Sequence, residues 1–274
     1  MNAAVQLRVQ RCGWDLAEPL WESYWAPHLA PAQRRLLELA AVASGERVLD
    51  VACGTGDVTI PAAWATGQEG HVLATDISEA MVGRTATEAW QEGLGWVETR
   101  RANAEDPVAP DGTVDVALCA FGLMHVPDPV RALTAMYQAL RPGGRVVVAV
   151  WGARERCGWA EAFSIVGRHA RSEPCPHFWL GTGNALSDAL AAAGFDAPKS
   201  ERLTTMLRYR SASAAASTVF EGGPVALAYS RLDAATRMQA HAEYLHSIAA
   251  HREGSGYAIP GEFVVARAIK RAIT

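Results

Sequence analysis

The chain is expected to fold as an α/β protein built on a doubly wound, mostly parallel sheet. Three observations predict this. Strand-like apolar runs alternate with segments of helical spacing. Four of the five central runs are dominated by β-branched and other apolar residues, as strands covered on both faces require. The first run feeds a two-glycine turn that opens a helix toward a ligand.

Residues from about Trp14 to Ala40 read as helical, with an aromatic cluster at Trp21, Tyr24 and Trp25 followed by His28. Residues 47–52 form the first strand. The helix after it has its first turn near Val58, because Pro61 would clash with a carbonyl four residues back in a helix already running. Residues 71–76, 96–101, 114–121 and 145–151 are the next four strands, the third more polar and so nearer an edge. Asp128-Pro129 caps a helix in which Val130, Leu133, Met136, Tyr137 and Leu140 recur at helical spacing. Pro142-Gly143-Gly144 ends that helix and turns into the fifth strand.

Beyond Trp151 lies a stretch rich in Cys, Trp, His and Pro, then a helix over 184–193 ended by Gly194. Residues 203–209 and 262–269 read as two more strands. The helical stretch between them, about 212–252, is expected to help roof the site. One compact unit is expected over 1–274: a helical lid (1–40), a cofactor-binding core (41–152), and a substrate-facing cap with the last strands (153–274).

Bulk properties exclude several classes. Half the residues are apolar and a fifth are charged, an ordinary globular composition. A net charge of −4 without a strong basic run argues against nucleic acid as a partner; Arg100-Arg101 and Lys270-Arg271 are the densest basic spots. No apolar run approaches the roughly 18 residues of a membrane span, and no signal-peptide core is evident. The five cysteines show no C-x-x-C and no histidine at zinc spacing, so reduced thiols, a cytoplasmic location and no metal are expected. A homodimer stays open.

The run from Val48 to Thr59 is the most informative. Gly54 and Gly56 let the backbone turn sharply and approach a ligand. A dinucleotide fingerprint would need a third glycine where Thr59 stands, which speaks against an NAD-dependent oxidoreductase. Asp50, Ala52, Gly54 and Gly56 instead resemble the acidic-x-G-x-G-x-G motif of class I S-adenosylmethionine (SAM)-dependent methyltransferases, with Ala52 where that family has its first glycine. Asn103-Ala104-Glu105 resembles the family's D-A-x segment, with Asn103 for the usual acid. Residues 114–129 match D-x-V-x-x-x-x-x-L-x-H-x-x-D, and Arg141-Pro142-Gly143-Gly144 matches its turn before the fifth strand. The resemblance covers about residues 45–151 and is nearest the small-molecule branch containing ubiquinone/menaquinone C-methyltransferases.

The resemblance implies a Rossmann-like seven-stranded sheet, five strands parallel plus an antiparallel pair, and methyl transfer from SAM to an oxygen, nitrogen or carbon of a small organic acceptor. It places the cofactor against Asp50, Ala52, Gly54, Thr55 and Gly56. Asp76, 20 residues after Gly56, suits a ribose, or else merely caps the helix at Ser78. Ile77 and Met81 would flank the adenine, Asn103, Ala104 and Glu105 would meet its amino group, and Tyr24 and Phe121 would close over the cofactor. Trp25, Met124, Trp151 and His177 are candidates for the acceptor side. His125, at the mouth after the fourth strand, is the candidate base, with packing or capping as the alternative; His28 is a weaker candidate. Three other readings remain: a SAM-binding enzyme with a non-methylating reaction, an arsenite or thiol methyltransferase using Cys157 and Cys175, and a binding module without catalysis.

Overall fold

A computed structural model describes residues 3–106, 109–170 and 177–272. Its elements are α1 (Ala3–Tyr24), α2 (Ala26–Ala40), β1 (Arg47–Val51), α3 (Thr59–Thr66), β2 (His71–Asp76), α4 (Glu79–Gln91), β3 (Val97–Arg101), β4 (Val114–Ala120), α5 (Pro129–Ala139), β5 (Leu140–Trp151), α6 (Glu161–Ala170), α7 (Ala185–Ala192), β6 (Asp196–Tyr209), α8 (Ala212–Glu221), α9 (Ala226–Ser230), α10 (Ala234–Ser247), β7 (Arg252–Glu253) and β8 (Gly256–Ile269). The sheet runs β3-β2-β1-β4-β5-β8-β6, with β1 to β5 parallel and β8 antiparallel to β5 and β6.

The central strands follow from their composition. Val48, Leu49, Val116, Ala117, Leu118 and Val146 to Val150 are all sealed from solvent, so helices cover both faces. β3, the polar run, forms the sheet edge beside β2, as its exposed residues require. Strand order reverses between β1 and β4, and a ligand crevice opens beyond the carboxyl ends of strands at such a point.

Three features differ from the sequence expectation. The sheet has eight strands among the described residues, not seven. The extra one, β7, is a two-residue strand turned by Gly254 (φ 61°) onto the start of β8; so short a piece carries no periodicity. The final pair is also longer than predicted, because β6 already pairs with Ile269 at Asp196 and β8 still pairs with Tyr209 at Tyr257. Finally, α5 stops at Ala139 and the turn residues 141–144 already belong to β5. Helix α3 starts at Thr59, so Pro61 falls in its first turn, where a missing N–H costs nothing. Among the described residues no helix is long and apolar enough to cross a membrane.

Asp128 caps α5 as expected, accepting from the Arg131 N–H at 3.0 Å, while its own N–H donates to Glu105 Oε1 at 2.7 Å. Replacing Asp128 with Ala leaves an unpaired N–H in the first turn and should destabilise the fold by about 1 kcal/mol. Urea unfolding checks this: the midpoint falls while its slope stays unchanged.

Candidate functional site

The crevice beyond β1, β2 and β4 encloses about 880 Å³ of atom-free space, open solvent included. Its floor is Asp50, Val51, Ala52, Cys53 and Gly54 at the end of β1. One wall is Asp76, Ile77, Met81, Asn103 and Ala104; the other is Phe121, Gly122, His125 and Val126. Leu7, Gln10, Trp14 and Trp21 of α1 cross the top. Their spacing puts them on one helical face.

Two carboxylates dominate the floor. Asp50 is 1% exposed; its Oδ2 accepts from the Thr59 hydroxyl at 2.6 Å, while Oδ1 has no partner among the described residues. Burial, reinforced by the nearby Asp76 and Asp57 charges and opposed by the Thr59 hydrogen bond, pushes Asp50 up to about 7. Asp76 accepts from the N–H groups of Gly54 (3.1 Å) and Ser78 (2.9 Å), and burial raises it to about 6 against those bonds. It therefore joins β2 to the glycine loop. Its oxygens keep free lone pairs, since a carboxylate has about four acceptor sites.

The loop itself is tight. Ala52 and Gly54 both take left-handed backbone, with φ of 58° and 57°. A left-handed alanine costs roughly 1–2 kcal/mol. The Ala52 methyl occupies the space beside Gly122, where an added Cβ would lie 2.3 Å from it. That approach lets β1 and the turn after β4 share one floor.

Several expected residues sit elsewhere. Thr55 and Gly56 lie behind the loop and do not line the crevice. Gly56 (φ 100°) turns the chain back toward Ile60 and Thr85. Glu105 is turned away to hold the Asp128 N–H. Tyr24 packs where a Cβ on Gly222 would meet it at 2.7 Å. Trp25 is buried against Trp151 and Trp159, and Trp151 lies among Phe121, Phe263 and Trp159, so this indole cluster backs the site without lining it. Met124 is likewise core, and His28 packs on Tyr209, its pKa lowered by burial. His177 touches His125 from behind, with ring centroids 4.7 Å apart.

The 212–252 insertion does not roof the crevice either. Helices α8 and α9 pack on α1, and α1 forms the roof. Cys157 is buried, bonded to the Glu262 carbonyl and pushed up to about 12, so it presents no thiolate; Cys175 lies outside the described residues. Among the described residues no group of three metal-ligating side chains occurs.

Asp57 and Gln33 were not anticipated. Asp57 Oδ2 accepts from Trp21 Nε1 (3.1 Å) and Gln33 Nε2 (3.3 Å), tying both N-terminal helices to the glycine loop, and both side chains line the crevice. The available signal was an acid directly after the second glycine.

The residues fit SAM rather than a dinucleotide. A buried carboxylate oxygen without a donor suits an ammonium group, and an acidic floor opposes a pyrophosphate. This fold and this site define a class I SAM-dependent methyltransferase. The comparisons agree: residues 31–169 match the ubiE/COQ5 methyltransferase family, and the chain belongs to it.

Among similar proteins is the nocamycin O-methyltransferase of Saccharothrix syringae, 30% identical over 260 residues, covering 88% of this chain and 91% of that one. The ubiquinone/menaquinone biosynthesis C-methyltransferase UbiE of a Marinomonas strain is 42% identical over 118 residues, 42% of this chain and 47% of its own length. The chain thus aligns with only about half of that relative. In fold, it resembles the [4+2]-cyclase SpnF (TM-score 0.64, 21% identity, 97% of each chain). It also resembles a putative methyltransferase from Bacillus halodurans (TM-score 0.63, 20% identity, 88% of this chain and all of that one). The protein methylates small molecules with SAM as its methyl donor.

Two variants test the floor. Asp76→Ala removes the acceptor that joins the loop to β2, and Gly122→Ala forces a methyl onto Ala52. Calorimetry with S-adenosylhomocysteine should show at least a tenfold loss of affinity in each, about 1.4 kcal/mol or more.

Proposed function

We propose that the enzyme methylates a hydroxyl of a small, uncharged and largely apolar acceptor, chiefly by holding it in line. The observation that carries this reading is the lining: among the described residues it includes three carboxylates, indoles and aliphatic groups, and no Lys or Arg. An anionic acceptor would enter with its charge unpaired beside Asp50, Asp57 and Asp76, at a cost of several kcal/mol. The similarity to an O-methyltransferase over most of both chains supports oxygen as the atom methylated.

Bound SAM supplies an electrophilic methyl on a sulfonium. Asp50 Oδ1 is the group for the ammonium, Asp76 for the ribose hydroxyls, and Ile77, Met81, Asn103 and Ala104 for the adenine. Trp14, Trp21 and Leu7 hold the acceptor beneath α1 and exclude water. Alignment of this kind accounts for roughly 7–11 kcal/mol of a barrier.

His125 takes the proton of the acceptor hydroxyl. It lines the crevice, and burial lowers its pKa to about 3, so it stays neutral and able to accept across the working range. The same burial weakens it as a base, and positioning remains the larger effect. The whole chain acts as one unit, with residues 1–40 as the lid, 41–152 holding the cofactor and 153–274 supporting both.

Initial rates with uncharged phenols and alcohols, compared with their phosphate monoesters, test the acceptor class. Turnover is expected only with the uncharged set; equal kcat/KM for both contradicts the reading. His125→Gln should lower kcat by about 10²–10⁴-fold with S-adenosylhomocysteine affinity unchanged. Near-full activity in that variant removes the base.

A further inference from the structure

Among the α1 side chains that cross the top of the crevice, Gln10 is held by its neighbour one turn on. The Trp14 Nε1–H donates to Gln10 Oε1 at 3.1 Å. An indole N–H is a donor alone, so the atom it meets is the amide oxygen, and this fixes which end of the amide carries the two N–H groups. Trp14 is braced in turn. Its ring stands edge-on to Trp21 at 5.5 Å, and Trp21 Nε1 donates to Asp57 Oδ2. The Gln10 amide therefore ends a series of contacts that begins at the glycine loop.

Its place along α1 is beside His125. Gln6, one turn before, donates from Nε2 to the His125 carbonyl at 3.4 Å. Trp14, one turn after, sets its ring edge-on to the His125 imidazole at 5.0 Å. Side chains four apart share a helix face, so Gln10 lies between those two contacts. His125 apart, the other side-chain N–H donors in the lining already act within the protein: Trp14 on Gln10, Trp21 and Gln33 on Asp57, and Asn103 on Asp106. Gln10 Nε2 has no acceptor among the described residues. It is the donor that the roof holds in reserve.

We propose that Gln10 determines acceptor specificity: its amide N–H groups donate to a carbonyl oxygen that the acceptor carries beside the hydroxyl to be methylated. The inference rests on the reading of the acceptor as an uncharged hydroxyl compound. The oxygen it serves is a second one, because a donor on the reacting hydroxyl would tie up the lone pair that attacks the methyl. An uncharged oxygen is also what the three carboxylates of the lining permit. A carbonyl that withdraws electrons makes the neighbouring hydroxyl more acidic, which favours proton transfer to a base that burial has weakened. An acceptor lacking the carbonyl leaves the amide N–H groups unpaired in a crevice it has emptied of water, and a site built around a donor discriminates against such an analogue. Because Trp14 already holds the amide, little ordering is needed when the acceptor arrives.

The test compares 3-hydroxyacetophenone with 3-ethylphenol, two uncharged phenols that differ by a carbonyl in place of a methylene. Wild-type enzyme with SAM at about pH 8 is expected to favour the ketone by at least about tenfold in kcat/KM. Gln10→Met keeps the length of the side chain without the amide. Gln10→Glu keeps an oxygen for the Trp14 Nε1–H but, ionised at that pH, has no proton to donate. Both variants should bring the ratio between the two phenols to near one, with S-adenosylhomocysteine affinity unchanged by calorimetry. A preference for the ketone that survives in either variant overturns the inference. So does a tenfold loss of S-adenosylhomocysteine affinity in both, which would assign the amide to the cofactor. Equal turnover of the two phenols by the wild type removes this inference and leaves the hydroxyl reading standing; turnover of neither removes both.

Discussion

Two carboxylates held out of water at the ends of adjacent strands set the terms for the rest of this structure. Asp50 closes β1 and Asp76 closes β2, both nearly sealed, and each is raised toward neutrality chiefly by burial. Their folded values of about 7 and about 6 lie above the ordinary carboxylate range. The associated stability is present below that ordinary range, near pH 4, and is lost as pH rises through 6 to 7. At neutral pH the empty protein thus carries an electrostatic cost, which a cation at Asp50 and hydroxyl donors at Asp76 relieve. The glycine loop, the Thr59 hydroxyl and the Ser78 N–H are arranged around that cost, each satisfying one carboxylate oxygen.

The N-terminal helices belong to the same arrangement. Asp57 collects Trp21 and Gln33, while Asp15 of α1 accepts from the Ser78 hydroxyl at 2.6 Å, at the start of α4. The lid is thereby pinned to the two loops that carry the cofactor-facing carboxylates. Behind the opposite wall, Trp25, Trp151, Trp159 and Phe263 form one contiguous aromatic mass that holds Phe121 in its left-handed backbone at the rim.

The core was legible because it obeys period and punctuation. The five parallel strands, the Asp128 cap and the polar edge strand follow from apolar runs, Asp-Pro and Gly-rich turns. Asp50, Gly54, Asp76, Ile77, Asn103 and Ala104 meet at the crevice because each sits at the carboxyl end of a strand or in the loop after it, where sequence offset dictates place, and Met81 joins them from the first turn of α4. Residues outside that repeat were harder to place. The aromaticity of Tyr24 and Trp25 suggests lid residues, whereas the helical face of α1 selects Leu7, Gln10, Trp14 and Trp21. The sequence groups Glu105 with Asn103 and Ala104, yet it turns toward Asp128 because the N-terminus of α5 lies there. The His125–His177 contact joins residues about fifty apart in sequence, and no local pattern announces such a pairing.

The central claim is that Asp50 and Asp76 wait partly protonated and ionise when the cofactor arrives. Calorimetry of S-adenosylhomocysteine binding at pH 6.5, repeated in buffers of different ionisation enthalpy, measures this directly. The account predicts net proton release, with affinity rising from pH 5.5 to 7.5; proton uptake, or binding indifferent to pH over that interval, would contradict it.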